Sequence, residues 1–119
     1  MTTDKMLSRN DNGVGYITFN NPEKHNAVSI EMWDALVTIL DDFKQNKDIR
    51  VIVLNGAGGK SFVSGADISK FDKERSSKEA VLNYNKRTQK VYELLETFPK
   101  PTIAMINGYC IGGGLNLAV

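Results

Sequence analysis

The run Arg50-Val-Ile-Val-Leu-Asn-Gly56 constrains this chain most, because it is a continuous apolar stretch set between two segments of helical period. A continuous apolar run closed by Asn-Gly is the pattern of a strand covered on both faces, as in a largely parallel sheet. Parallel strands need crossover connections, ordinarily helices. On the N-terminal side, Ser29 is placed to cap a helix running to about Lys44, with Glu31 in the first turn where the helix dipole favours an acid. Met32, Leu36, Ile39, Leu40 and Phe43 recur at three- and four-residue steps, and Trp33 and Val37 widen that apolar face. On the C-terminal side, Val81, Tyr84, Val91, Leu94, Leu95 and Phe98 mark a second helix over about Lys78–Phe98, stopped by Pro99 and Pro101.

Val14-Gly-Tyr-Ile-Thr-Phe19 alternates and is rich in β-branched and aromatic residues, so it reads as a strand with Tyr16 and Thr18 on one face and Ile17 and Phe19 on the other. Asn20-Asn-Pro-Glu-Lys ends it. Pro101 and the apolar run behind it, with Ile103 and Ile106, read as a buried strand that Gly108 turns, and Gly112-Gly113-Gly114 opens a last helix. The order of strand, helix, strand, helix, strand and helix start gives an α/β class with repeated crossovers. Residues 1–12 are polar and read as a loose segment apart from Met6 and Leu7, leaving 13–119 as the folded part. Asp72 to Ser77 reads as a charged surface stretch. The last helix would stop near its first turn or two, so the chain is expected to be the front portion of a longer domain.

Several classes of function are disfavoured by composition. A formal net charge of +1 with both signs mixed along the chain offers no extended basic face for nucleic acid. No apolar run reaches the roughly 18–20 residues that cross a bilayer, and Met1-Thr-Thr-Asp-Lys lacks a signal-peptide layout, so no membrane partner and a cytoplasmic location are expected. The single cysteine, Cys110, excludes an internal disulfide and a cysteine-cluster metal site. The single histidine, His25, has no second histidine to complete a metal site, and no obvious acid completes a Cys/His pair. Cys110 reads as a small apolar filler, and His25 as a solvated or ligand-touching turn residue.

Two glycine turns carry the chemistry that remains. Three glycines at a helix start permit close approach to the backbone and leave N–H donors without intrahelical partners, so an oxygen bearing negative charge can sit there. The plainer alternative is that they make a tight turn and let the helix pack close to the sheet. Gly108, Gly112, Gly113 and Gly114 do not spell the dinucleotide fingerprint G-x-G-x-x-G, and Gly59-Lys-Ser61 lacks the phosphate-loop glycine because Leu54 stands in its place. In Ser64-Gly-Ala-Asp-Ile-Ser-Lys70, Gly65 allows a sharp reversal that turns the Ala66 N–H toward a cleft, and Asp67 is placed to cap a short helix or brace the loop.

Taken together, Asn21-Pro-Glu-Lys-His-Asn-Ala27, Val51-Ile-Val-Leu-Asn-Gly56, Ser61-Phe-Val-Ser-Gly-Ala-Asp-Ile68 and the run from Lys100 to Gly114 resemble the N-terminal half of the enoyl-CoA hydratase/isomerase (crotonase) superfamily. The resemblance covers Gly13 to Val119. It implies a spiral of ββα repeats in a chain about double this length, assembled as homotrimers or paired trimers (hexamers). It also implies an acyl-coenzyme A thioester as substrate, with no further cofactor and no metal, in a lyase or isomerase of fatty acid metabolism. Carried over position by position, the N–H groups of Ala66 and Gly113 would form the oxyanion hole for the thioester oxygen. Lys24, His25 and Ala27 would line the coenzyme side, with Lys70 as a further candidate for its phosphates. Ser64, Gly65, Asp67 and Ile68 would run from the adenine end to the pantetheine, and Tyr109, Ile111 and Gly112 would border the acyl pocket. Hydratases of this family typically carry a water-activating glutamate where this chain has Asn116, and an amide cannot accept water's proton. The second usual glutamate would lie past Val119, so this stretch alone is expected to be inactive. A non-catalytic acyl-CoA-binding or assembly protein of the same fold is the alternative, and a ligand-free interaction module fits the paired glycine turns less well.

Overall fold

The computed structural model describes residues 3–67 and 77–119. Strands β1 (Met6–Asp11) and β2 (Val14–Phe19) precede helix α1 (Ile30–Gln45). Strands β3 (Val51–Gly56) and β4 (Ser61–Val63) precede helix α2 (Lys78–Glu96), and β5 (Thr102–Ala104) and β6 (Tyr109–Cys110) precede the short helix α3 (Gly113–Ala118). The chain thus runs through three successive ββα units. Because β2, β3 and β5 pair in parallel in the order β1-β2-β3-β5, each unit lays one strand beside that of the unit before it. The other strands of the second and third units, β4 and β6, form a separate parallel pair.

Ser29 caps α1 as expected, its Oγ accepting from the Met32 N–H, and Ser77 does the same for α2 through Ala80. Met32, Trp33, Leu36, Leu40 and Phe43 form the buried face of α1, which packs against both the sheet and α2. Phe19 and Phe62 meet edge to face at 5.9 Å in the same core. On α2 only Tyr84 and Val91 are buried, while Val81, Leu94 and Leu95, and Phe98 just past the helix end, are half-buried.

The first difference from the sequence reading is β1, which lies within the stretch taken as loose. Only Met6 of this strand is buried, so it shows no apolar alternation. Its signal was instead the turn Asn12-Gly13, where both residues have positive φ (50° and 85°) and fit a two-residue hairpin. The second is β3, which is not equally covered on its two faces: Ile52 and Leu54 are buried, whereas Val51 and Val53 are half-buried. The third is β5, read as buried, which stands at the edge of the four-stranded sheet with Thr102 and Ile103 exposed.

Lys100, just before β5, fastens this edge to α1. Its ammonium donates to the Phe43 carbonyl (2.5 Å) and the Asn46 carbonyl (2.6 Å), groups at a helix C-terminus that have no helical partner. Lys100→Met keeps most of the stem but strands the Phe43 carbonyl and leaves the Asn46 carbonyl with only the Ile49 N–H (3.2 Å), and we expect it to lower the unfolding free energy by about 1–2 kcal/mol. Urea denaturation measures this, and an unchanged midpoint would show that solvent satisfies the carbonyls equally well.

Candidate functional site

The site is built by β4 and β6. Parallel strands end on the same side, so pairing Ser61 with Tyr109 and Val63 with Cys110 brings the turn after β4 beside the turn after β6. A Cβ placed on Gly65 would lie 3.8 Å from the Ile111 carbonyl oxygen, and one placed on Gly113 would lie 3.9 Å from the Gly65 Cα. The two glycine turns therefore meet, although Gly65 and Gly113 are far apart in sequence.

The loop between β2 and α1 supplies the third wall. Val28 forms an isolated parallel bridge with Ala66, in which the Val28 N–H donates to the Gly65 carbonyl (2.8 Å) and the Asp67 N–H donates to the Val28 carbonyl (3.0 Å). This pattern uses the groups on either side of Ala66 and turns its own N–H to the opposite side. The Gly113 N–H belongs to the first residue of α3, whose backbone bonding starts with the Gly114 N–H donating to Ile111. Among the described residues, neither the Ala66 nor the Gly113 N–H has a hydrogen-bond acceptor.

Two buried asparagines shape that loop, and neither was given a role from the sequence. The Asn26 side chain is wholly buried; its Oδ1 accepts from the Asn21 N–H (2.9 Å), and its Nδ2 donates to the Ala57 and Ser61 carbonyls (both 3.0 Å). Asn21 in turn donates through Nδ2 to the Ala27 carbonyl (2.9 Å). Their local signal was polar residues near Pro22, but two of the partners of Asn26 lie in β4 and the turn before it. So held, the loop places exposed His25 edge-on to Tyr109 at 5.8 Å, and Lys24 Nζ 3.6 Å from the buried carboxylate of Asp67. The Ser64 hydroxyl donates to the Lys24 carbonyl (3.4 Å).

Lys24, His25, Ala27, Ser64, Gly65, Ala66, Asp67, Tyr109, Ile111, Gly112 and Gly113 are thus carried by the loop and two turns that the β4/β6 pair and the Val28 bridge assemble. Ile68 and Lys70 lie outside the described residues, as does most of the Asp72–Ser77 stretch. Asn116 is exposed on α3 and lines one cavity together with Tyr92. Tyr92 was missed altogether, though its position eight residues past Tyr84 puts it at the margin of the apolar face of α2. Burial is the main reason its hydroxyl is held above the usual tyrosine range; the nearby Tyr84 adds to this, and the Asn116 side chain acts in the opposite sense. The phenol is therefore neutral at physiological pH, and its oxygen can accept from an amide N–H. Among the described residues, no group of three or more His, Cys, Asp or Glu side chains could hold a metal ion, and no helix is long and apolar enough to cross a membrane.

Comparison with known proteins is consistent with this arrangement. The family profile described as enoyl-CoA hydratase/isomerase matches residues 9–119. The chain is 39% identical over 108 residues to the (E)-benzylidenesuccinyl-CoA hydratase of Thauera aromatica, covering 91% of this chain and 41% of that protein. It is 31% identical over 119 residues to the short-chain-enoyl-CoA hydratase of Clostridium acetobutylicum, covering 100% of this chain and 45% of that one. The crystal structure of an enoyl-CoA hydratase/carnithine racemase from Magnetospirillum magneticum superposes with a TM-score of 0.91 at 34% identity, over 98% of this chain and 44% of that chain. The chain spans less than half the length of these relatives.

Proposed function

Since the chain belongs to the enoyl-CoA hydratase/isomerase family and has the N-terminal part of its fold, we propose that it binds an acyl-CoA and holds the thioester oxygen between the Ala66 and Gly113 N–H groups, stabilising the enolate of a hydratase- or isomerase-type reaction. The observation that supports this reading best is the meeting of two sequence-distant turns, each bringing a backbone N–H with no acceptor among the described residues. Donors fixed in advance by strand pairing need no reorganisation as negative charge develops on the oxygen, and each is worth about 3 kcal/mol in the transition state. In this reading Lys24 and His25 on the exposed loop would meet the coenzyme, and Tyr109 and Ile111 the acyl chain. The relatives named above act on CoA thioesters by their names, and this chemistry needs no metal or redox group.

Asn116 supports a narrower statement. One helical turn past Gly113, it supplies a neutral amide that can orient water but cannot take its proton, so the proton-transferring group of this reaction would stand elsewhere in the whole protein. The same residue favours a second reading, an acyl-CoA-binding protein of this fold without turnover. Ile103, Met105, Ile106 and Leu115 are large exposed apolar residues on β5, the following turn and α3, which suits burial in a larger assembly such as a trimer.

Infrared difference spectroscopy with an acyl-CoA labelled with 13C at the thioester carbonyl tests the proposal. Binding to two N–H donors lowers the carbonyl stretching frequency relative to free ligand. A bound ligand with an unshifted carbonyl would overturn the cradle while leaving coenzyme binding in place, and no binding would overturn both.

A further inference from the structure

Tyr92 has no part in the reading above, yet its position ties the helix layer to the glycine turn. Its ring meets Trp33 of α1 edge-on at 6.1 Å, and the Trp33 indole N–H donates to the Tyr84 hydroxyl (3.4 Å), so an aromatic wedge fixes the ring between the helices. The half-buried Tyr92 directs its hydroxyl to within 3.7 Å of where a Gly113 Cβ would stand. With Asn116, Leu95, Thr102 and Leu117, Tyr92 also lines a cavity of about 370 Å³.

We infer that Tyr92 is a positioning residue of the site: its hydroxyl holds the Asn116 amide, so that the amide's remaining N–H and C=O are presented as a fixed, neutral donor and acceptor to the acyl chain of a thioester seated at Gly113. An exposed asparagine on a helix of six residues would otherwise divide its time among rotamers, and each hydrogen bond to a ligand would then cost the ordering of that side chain. A phenol locked by packing removes that cost, as a supporting group does when it fixes a ligand-touching side chain. The wedge is suited to this because Trp33 is buried and the half-buried Tyr92 packs against the same core. The inference rests on the thioester reading above and adds to it the residue that orients the amide.

The test measures affinity of the chain by calorimetry for 3-hydroxybutyryl-CoA, butyryl-CoA and free coenzyme A. A fixed amide meets the 3-hydroxyl, so the hydroxylated thioester binds about tenfold more tightly than the saturated one, the worth of a well-made hydrogen bond. In Tyr92→Phe, which keeps the ring, that preference falls to about twofold; in Asn116→Ala it vanishes; and the double variant loses nothing more than Asn116→Ala alone. Tyr84→Phe removes the neighbouring hydroxyl that bonds Trp33 and retains the preference, which separates a loosened wedge from a lost partner. A full preference in Tyr92→Phe, or its equal loss in Tyr84→Phe, overturns the inference. Equal affinity of the unaltered chain for both thioesters overturns it while leaving the thioester cradle intact. If neither thioester binds better than free coenzyme A, the thioester reading itself fails.

Discussion

Asn26→Ala lowers the unfolding free energy by about 4 kcal/mol, the largest stability effect we expect from any single polar residue described here. The substitution strands the Asn21 N–H and the carbonyls of Ala57 and Ser61, all bonded to one wholly buried amide. Each buried group left without a partner costs about 1–3 kcal/mol. Asn26 also sits at φ 58°, a left-handed conformation that asparagine tolerates and alanine resists by roughly 1 kcal/mol. Partial hydration of the exposed side of the Ala57 turn keeps the total below the simple sum. A change of this size is a large fraction of the roughly 5–15 kcal/mol that holds a domain together. Urea unfolding gives the value from the midpoint shift at constant slope. Asn26→Gly separates the contributions, because it keeps the left-handed backbone accessible while deleting the same bonds. A loss under about 1 kcal/mol for Asn26→Ala would mean that the three segments are held together by packing and that the amide merely fits between them.

That network also explains what could and could not be read from the sequence. Helices α1 and α2 were legible to within a few residues, because a serine cap and an apolar face at three- and four-residue steps are local signals. β2 was legible for the same reason, through its alternation. β1 was not, because a polar edge strand with a single buried residue has no pattern to show, and β6 was not, because Tyr109–Cys110 is too short to have one. The exposure of β5 followed from which strands pair, a property of the whole sheet that its apolar composition did not reveal. The glycine turns were legible as turns, and family resemblance proposed their roles. Their meeting, however, depends on the β4/β6 pairing and on Asn26, whose partners lie 31 and 35 residues away. Tyr92 escaped notice because only the folded chain shows that its hydroxyl reaches past the apolar face to Gly113.

Gly113→Pro is expected to remove one donor of the proposed cradle while leaving the fold in place. Gly113 is the first residue of α3, the helix position at which proline is best tolerated, since the N–H has no intrahelical acceptor there and proline's fixed φ suits the helix. A Cβ at this position meets only the Tyr92 hydroxyl at 3.7 Å and the Gly65 Cα at 3.9 Å, both ordinary contacts. The neighbouring Gly114 is different, because a Cβ there would run into the Val63 carbonyl, so Gly114→Ala should cost stability first and chemistry as a consequence. With the Gly113 N–H gone, the enolate oxygen of the proposed reaction would keep only the Ala66 donor. The loss of about 3 kcal/mol amounts to a 10²–10³-fold drop in kcat/KM for the enzyme that carries this segment. In the chain itself, the 13C carbonyl shift of a bound acyl-CoA shrinks toward its free value. Gly113→Ala is the control, since it adds the same Cβ but keeps the N–H, and it should remain within a few-fold of the parent. If Gly113→Pro and Gly113→Ala lose activity equally, the effect is steric, and the Gly113 N–H is not the group that meets the thioester oxygen.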